Sequence, residues 1–153
     1  MKLVVVGLQN SGKTTFCSLI CPKEKVVETD SFSNFNWKYS SKLNFDVWDL
    51  SGRLPHLWAH QMNRANGIVF VISQKEADLD AEYLPNVIKA ILNLTVNYFN
   101  VPITFIVNQH TGHANKTKLD QAWFASEVFS VADKKKDDFS VHELNLKELS
   151  GLT

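Results

Sequence analysis

The chain has no excess charge of either sign, because sixteen basic and sixteen acidic residues cancel over its 153 positions. Bulk electrostatics therefore give no reason to expect a binder of nucleic acid or another polyanion. Long apolar runs are also missing, and none approaches the roughly 20 residues needed to span a bilayer. No repeat, low-complexity tract or Pro/Gly/Ser linker divides the sequence, so a single domain over residues 1–153 is expected. Cysteine is scarce. Cys17 and Cys21 lie on one predicted helix turn, where a bridge would close a very small loop, so reduced thiols are expected. No neighbouring ligand pattern supports a metal at that pair. The opening "MKLVVVG" is too short for a secretory leader, and Lys2 excludes N-myristoylation of the chain as it stands. These absences predict a cytoplasmic protein without an intrinsic membrane anchor.

What is present alternates between strand and helix patterns. "KLVVV" (2–6) is a continuous β-branched run, as in a parallel strand buried on both faces. "KTTFCSLI" turns helical and stops at Cys21-Pro22, and the polar "KEKVVETDSFSN" reads as an exposed loop. "FNWKY" and "LNFDVWDL" form a predicted β-hairpin whose apolar face holds Phe35, Trp37, Tyr39, Phe45 and Val47. A short helix is expected over 55–65, a strand over 67–73, a helix over 79–98, a strand over 102–108 and a helix over 117–130. "DKKKDD" (133–138) reads as a solvated loop and "FSVHEL" as a last strand. This order predicts an α/β sandwich with a mostly parallel sheet and one antiparallel hairpin at its edge. The stretch left after Leu144, "NLKELSGLT", is short for a helix covering a sheet face, consistent with a trimmed chain or a reduced helix.

Between the first strand and first helix lies "GLQNSGKTT", in which Gly7, Gly12, Lys13 and Thr14 satisfy G-x-x-x-x-G-K-[ST]. Such a loop wraps backbone N–H groups around phosphates, with the start of the helix adding partial positive charge. Gly7, Asn10, Ser11, Gly12, Lys13, Thr14 and Thr15 are thus the candidate phosphate-binding residues. Lys13 can reach the β- and γ-phosphates, and the Thr14 hydroxyl can ligate Mg2+. A phosphate loop alone leaves GTPases, ATPases and small-molecule kinases open.

"VWDLSG" at the end of the hairpin narrows the choice, since Asp49-x-x-Gly52 supplies an aspartate for Mg2+ and an amide able to sense a γ-phosphate. The sequence resembles the Arf/Arf-like small GTPases. "GLQNSGKTT" is similar to the family's GL-x-x-x-GKTT, "VWDLSG" to its WD-x-G-G, and "LWAHQMNRANGIVFVIS" to its LW-x-H…GLIFV-D segment. "VPITFIVN" is similar to the strand leading into the family's N-K-x-D. The overall wording, including serine before the second glycine of D-x-S-G, is nearest the cilium-associated Arf-like branch. The resemblance covers residues 3 to about 110 and implies the three-layer sandwich of a phosphate-loop NTPase. It further implies GTP/GDP and Mg2+ as ligands, with protein effectors and exchange or activating factors as partners. Recruitment to membranes or the cilium would then run through those partners.

Several family positions are altered. Arg53 stands where a glutamine would orient the attacking water, and the segment from there to Trp58 is about two residues short. Arginine accepts no hydrogen bond, which leaves a charged clamp on the γ-phosphate or an exposed loop residue as its readings. The threonine of the first switch falls on Phe32, with Thr29, Ser31 or Ser33 as substitutes after a register shift. The guanine-reading motif becomes Asn108-Gln109-His110-Thr111, so the aspartate is replaced by a neutral hydroxyl. Asn108 and Gln109 remain the candidate base contacts, in preference to the later Asn115-Lys116. Of the effector-binding aromatic triad, Phe35 and Trp48 match, while the third place falls on Gln61. The family's membrane-inserting N-terminal helix is not expected in this sequence, which opens directly on the first predicted strand.

The remaining motifs carry less. His56 and His60 sit one helical turn apart without a third ligand or an H-E-x-x-H glutamate. Asn93-Leu94-Thr95 is a glycosylation sequon without secretory context. The sequence thus points to a divergent Arf-like GTPase with slow hydrolysis. The alternatives are a pseudo-GTPase scaffold and a phosphate-loop kinase, the latter opposed by the WD-x-x-G hairpin and a missing substrate lid.

Overall fold

The computed structural model describes residues 1–20, 32–38, 42, 44–52, 55–98, 100–113, 116–130 and 138–149, with 32–38 described as backbone. Six strands form one sheet in the order β2-β3-β1-β4-β5-β6. They are β1 (Lys2–Val6), β2 (Phe32–Lys38), β3 (Asn44–Leu50), β4 (Gly67–Ser73), β5 (Ile103–Asn108) and β6 (Phe139–Leu144). Every neighbouring pair is parallel except β2 with β3, which closes the edge as the expected hairpin. The mostly parallel α/β sandwich is therefore confirmed.

The pleat of β1 explains its unbroken apolar run. Val4 and Val6 enter one core with Leu50, Trp58, Phe70, Ile91 and Phe105, whereas Val5 enters a second with Val47, Val71, Ile106 and Cys17. Each face needs its own helical cover. The first core lies beneath α3 (Tyr83–Tyr98) and the Phe124–Phe129 segment. The second lies beneath α1 (Lys13–Ile20) and the short α5 (Leu146–Leu149), which supplies Leu146. The described part of α5 is four residues long, and residues 150–153 lie outside the described residues.

Other boundaries differ from the sequence reading. Strand β2 starts at Phe32, within the stretch read as a loop, because it pairs with β3 along its whole length from Phe32↔Leu50 to Lys38↔Asn44. Residues 55–61 form a 3-10 segment rather than an α-helix, which seats Trp58 and Met62 in the first core. The helix expected over 79–98 begins at Tyr83 as α3, and a separate helix that the sequence reading did not expect precedes it. Helix α2 (Gln74–Leu79) starts where the Ser73 hydroxyl accepts the Glu76 N–H at 3.1 Å, and its last turn ends at Asp80. The Asp80 carboxylate then accepts the Glu82 N–H at 3.0 Å, starting the turn into α3. The helix expected from 117 begins later, at α4 (Gln121–Trp123), capped by the Asp120 carboxylate, and continues as a π turn over Phe124–Val128. The wider turn lets Phe124 and Phe129, five residues apart, both bury against Phe105. Most of "DKKKDD" lies outside the described residues.

Candidate nucleotide site

The site sits at the carboxyl ends of β1, β3 and β5, where loops of a doubly wound sheet gather. Parallel pairing sets Val5 of β1 opposite Asp49 of β3, so the phosphate-loop motif and Asp49 emerge side by side. Residues 8–15 line a pocket of about 220 Å³ together with Asp49, Ser51 and Gly52. The loop's curvature rests on left-handed backbone at Asn10 (φ 67°) and Gly12 (φ 98°). At Gly12 the fit is tight as well, since a Cβ there would lie 2.4 Å from Asn108 Nδ2.

Lys13 Nζ donates to Asp49 Oδ1 at 2.5 Å, with side chains 12% and 6% exposed. These are the ammonium expected to serve phosphate and the carboxylate expected to serve a cation. Each here holds the other's charge within the pocket. The Ser11 hydroxyl, in a residue 1% exposed, has no hydrogen-bond partner among the described residues. Gly52 lies against the loop, and a Cβ at that position would meet Gly7 O at 2.6 Å and Gln9 N at 2.7 Å. Its neighbour Ser51 is anchored from the other side, where its carbonyl accepts the buried Trp58 Nε1–H at 2.9 Å.

Asn108 joins the loop to the far end of the sheet. Its Nδ2 donates to the Ser11 carbonyl at 3.2 Å, and its Oδ1 accepts the Leu146 N–H at 3.2 Å. Gln109 follows with its backbone N–H bonded to Leu144 O at 2.8 Å, while its buried side-chain Nε2 has no partner among the described residues. Thr111 is engaged by residues that sequence reasoning had not singled out. Its hydroxyl donates to Glu148 Oε1 at 2.6 Å and accepts from Asn145 Nδ2 at 3.0 Å. Asn145 also caps α5, its Oδ1 accepting the Glu148 N–H at 3.1 Å. The available signal was the spacing Asn145-x-x-Glu148, a capping-box pattern.

The loop after Thr111 is fastened by Asp78 of α2, whose side chain is fully buried. Its carboxylate faces His113 Nε2 at 2.9 Å and accepts the Lys116 and Thr117 N–H groups at 3.0 and 3.2 Å, with Gln74 Nε2 at 3.2 Å. Burial by itself would raise this carboxyl, but the hydrogen bonds from Lys116, His113, Thr117 and Gln74 outweigh it and hold Asp78 below its ordinary value. His110 is pushed down, first by burial and then by the positive charges of Lys75, His113 and Lys147, against Glu76. Apart from Gln74, one helical turn before it, the partners of Asp78 are 35 to 39 residues away, so no local pattern marks its role in holding this loop.

Of the other expected residues, Thr14 and Thr15 line the pocket. Arg53 and Asn115 lie outside the described residues, as do Thr29 and Ser31. Phe35 is placed on β2 opposite Val47. Trp48 is half-buried on β3, its indole N–H donating to Asp46 Oδ2 at 3.1 Å and its ring 5.0 Å from Lys2 Nζ.

A phosphate loop, an Asp-x-x-Gly turn folded onto it and an antiparallel edge hairpin together define the small-GTPase class of phosphate-loop folds. The comparisons agree. The ADP-ribosylation factor family matches residues 1–136. ADP-ribosylation factor-like protein 6 of Danio rerio is 31% identical over 116 residues, 71% of this chain and 61% of that protein. The chain thus spans about three fifths of the length of that relative. The Arl6 BBS3 small GTPase from Trypanosoma brucei, solved with the bound nucleotide analogue GppNp, shares the fold at a TM-score of 0.76. It is 20% identical, with 99% of this chain and 90% of that one covered. The chain belongs to the ADP-ribosylation factor family, as a divergent Arf-like member.

Proposed function

We propose that the chain binds guanine nucleotide with Mg2+ and acts as a molecular switch whose nucleotide state governs recruitment of a protein effector. The observation that carries this reading is the pocket of residues 8–15 with Asp49 and Gly52 at its rim, containing one lysine and a buried, unpartnered Ser11 hydroxyl. Lys13 leaves Asp49 for the β- and γ-phosphates, the loop amides take the phosphate oxygens, and Asn108 keeps the loop in register with β5.

The residues present suit Mg2+. Thr14 and Asp49 offer hard oxygen donors in the same pocket, and no group of three His, Cys, Asp or Glu side chains among the described residues could form an all-protein metal cage. Such a pair matches a cation held jointly with phosphates. When bound, the ion would neutralise charge on the β- and γ-phosphates. Hydrolysis is slow in this proposal, because arginine rather than glutamine follows Gly52 and cannot accept a hydrogen bond from water. Phe35 and Trp48 on the edge hairpin belong to the proposed effector surface.

Among the described residues no helix is long and apolar enough to cross a membrane. We propose that recruitment to a membrane or cilium, where it occurs, runs through partners.

Titration of the purified protein with GTP, GDP, ATP and XTP, with and without Mg2+, followed by measurement of phosphate release, tests the proposal. Expected are Mg2+-enhanced binding of GTP and GDP and slow turnover. Failure to bind any of the four would end the nucleotide reading, and preference for ATP would favour a kinase.

A further inference from the structure

We propose that Glu148, presented by Thr111, is the carboxylate that reads the guanine base. This rests on the nucleotide reading above and names the group that sets its base specificity.

The sheet itself indicates where a base would lie. Phosphates held at the end of β1 are separated from the end of β5 by one intervening strand, about 10 Å at ordinary strand spacing. A ribose spans that gap, leaving the base over the segments that follow β5 and β6. Asn108 ties those segments to the phosphate loop through Ser11 O and Leu146 N, so both ends of the path are mechanically joined.

A guanine edge offers two adjacent donors, N1–H and the exocyclic amine, which a carboxylate accepts together. Adenine and xanthine each place an acceptor at one of these positions and repel it. Sequence position alone puts the neutral Thr111 hydroxyl where such a carboxylate is needed. The structure adds the missing charge: Glu148 Oε1 lies 2.6 Å from Thr111 Oγ1, and the residue is exposed.

The path of the Glu148 side chain is informative. In a capping box the glutamate returns to the backbone N–H of the capping residue. Here Asn145 caps α5 as expected, but the Glu148 carboxylate crosses to Thr111 instead. Asn145 Nδ2 donates to the same Thr111 hydroxyl at 3.0 Å, which leaves the hydroxyl proton for Glu148 and orients the carboxylate. Only Oε1 is engaged among the described residues.

Binding of GDP, XDP and ADP to the wild type, Glu148→Gln and Thr111→Asp/Glu148→Gln chains tests this. The glutamine variant should lose roughly tenfold to a hundredfold in GDP affinity, as expected for a charged hydrogen-bond pair, and gain relative affinity for XDP. Its ADP affinity should not fall, because the repulsion between the carboxylate and adenine N1 is removed. The double variant, with its carboxylate returned to position 111, should recover GDP preference. Thr111→Val removes only the bridging hydroxyl and should weaken GDP binding several-fold with an unchanged melting temperature; it replaces Glu148→Gln if that chain does not fold. Unchanged GDP affinity in both Glu148→Gln and Thr111→Val overturns the assignment while leaving nucleotide binding intact. An equal loss for all three nucleotides without rescue makes Glu148 a prop for α5 and also overturns it. A wild type that binds none of them removes the underlying reading as well.

Discussion

Lys13 and Asp49, 36 residues apart in sequence, meet at 2.5 Å across the phosphate pocket. Their contact requires β1 and β3 to lie side by side, and it joins the two groups proposed to serve phosphate and cation. Lys13→Ala should weaken GDP binding by roughly a hundredfold, equivalent to losing one or two charge-assisted hydrogen bonds. Asp49→Asn should behave differently. It frees Lys13, so affinity measured in EDTA should hold or rise, while the enhancement by Mg2+ disappears. Calorimetric titration in EDTA and in Mg2+ separates the two, and an Asp49→Asn chain with undiminished Mg2+ enhancement would refute this division of roles.

Gly52 touches the phosphate loop so closely that a methyl group would need Gly7 O at 2.6 Å and Gln9 N at 2.7 Å to yield, and both are backbone atoms. Gly52→Ala should therefore push the Asp-x-x-Gly turn off the loop, at a cost of about 1–3 kcal/mol in overpacking. Nucleotide affinity should fall with it. At Gly67 the nearest contact is the flexible Leu3 Cδ1 at 3.4 Å, so Gly67→Ala serves as the tolerated control in urea denaturation.

Asp78 latches the loop that follows Thr111 to α2. Asp78→Ala leaves the Lys116 and Thr117 N–H groups without their acceptor, while Gln74 Nε2 keeps the Thr117 carbonyl, a loss of about 2–4 kcal/mol. Hydrogen exchange at Lys116 and Thr117 should accelerate selectively. Because the folded carboxyl titrates below its ordinary 3.8, its contribution is complete above that pH and is lost only as pH falls through the folded value. The latch should thus hold at neutral pH, and the acid limb of the wild-type stability curve should be shallower in Asp78→Asn.

His110 works in the opposite pH range. Its folded value lies below the ordinary 6.5, so the unfolded chain binds the proton more readily. Its contribution is present above 6.5 and is lost as pH drops from there toward the folded value. Urea midpoints measured between pH 7.5 and 5.5 should fall more in the wild type than in His110→Gln, roughly over the range in which histidine titrates. Identical slopes would show that burial of this imidazole has no energetic consequence.

Much of the fold was legible because its signals are local. A β-branched run such as "KLVVV" can bury both faces only as an inner parallel strand, and the glycines and lysine of "GLQNSGKTT" need only their own spacing to form a phosphate cradle. The start of α2 was legible in principle, since Ser73-x-x-Glu76 has the spacing of a capping box. The π turn at Phe124 was not, because it answers to Phe105 on a distant strand.

The sequence by itself determined the family, the strand–helix alternation and the phosphate loop, all of which depend on residues adjacent along the chain. Only the tertiary structure decided that Lys13 rests on Asp49, that Asn108 clasps Ser11 and Leu146, and that Glu148 stands beside Thr111. Those contacts join residues 36 to 97 positions apart, so they exist only once the sheet has set the ends of β1, β3, β5 and β6 along one edge. Thr111 read alone is a lost charge; in the folded protein it is the hydroxyl that holds one.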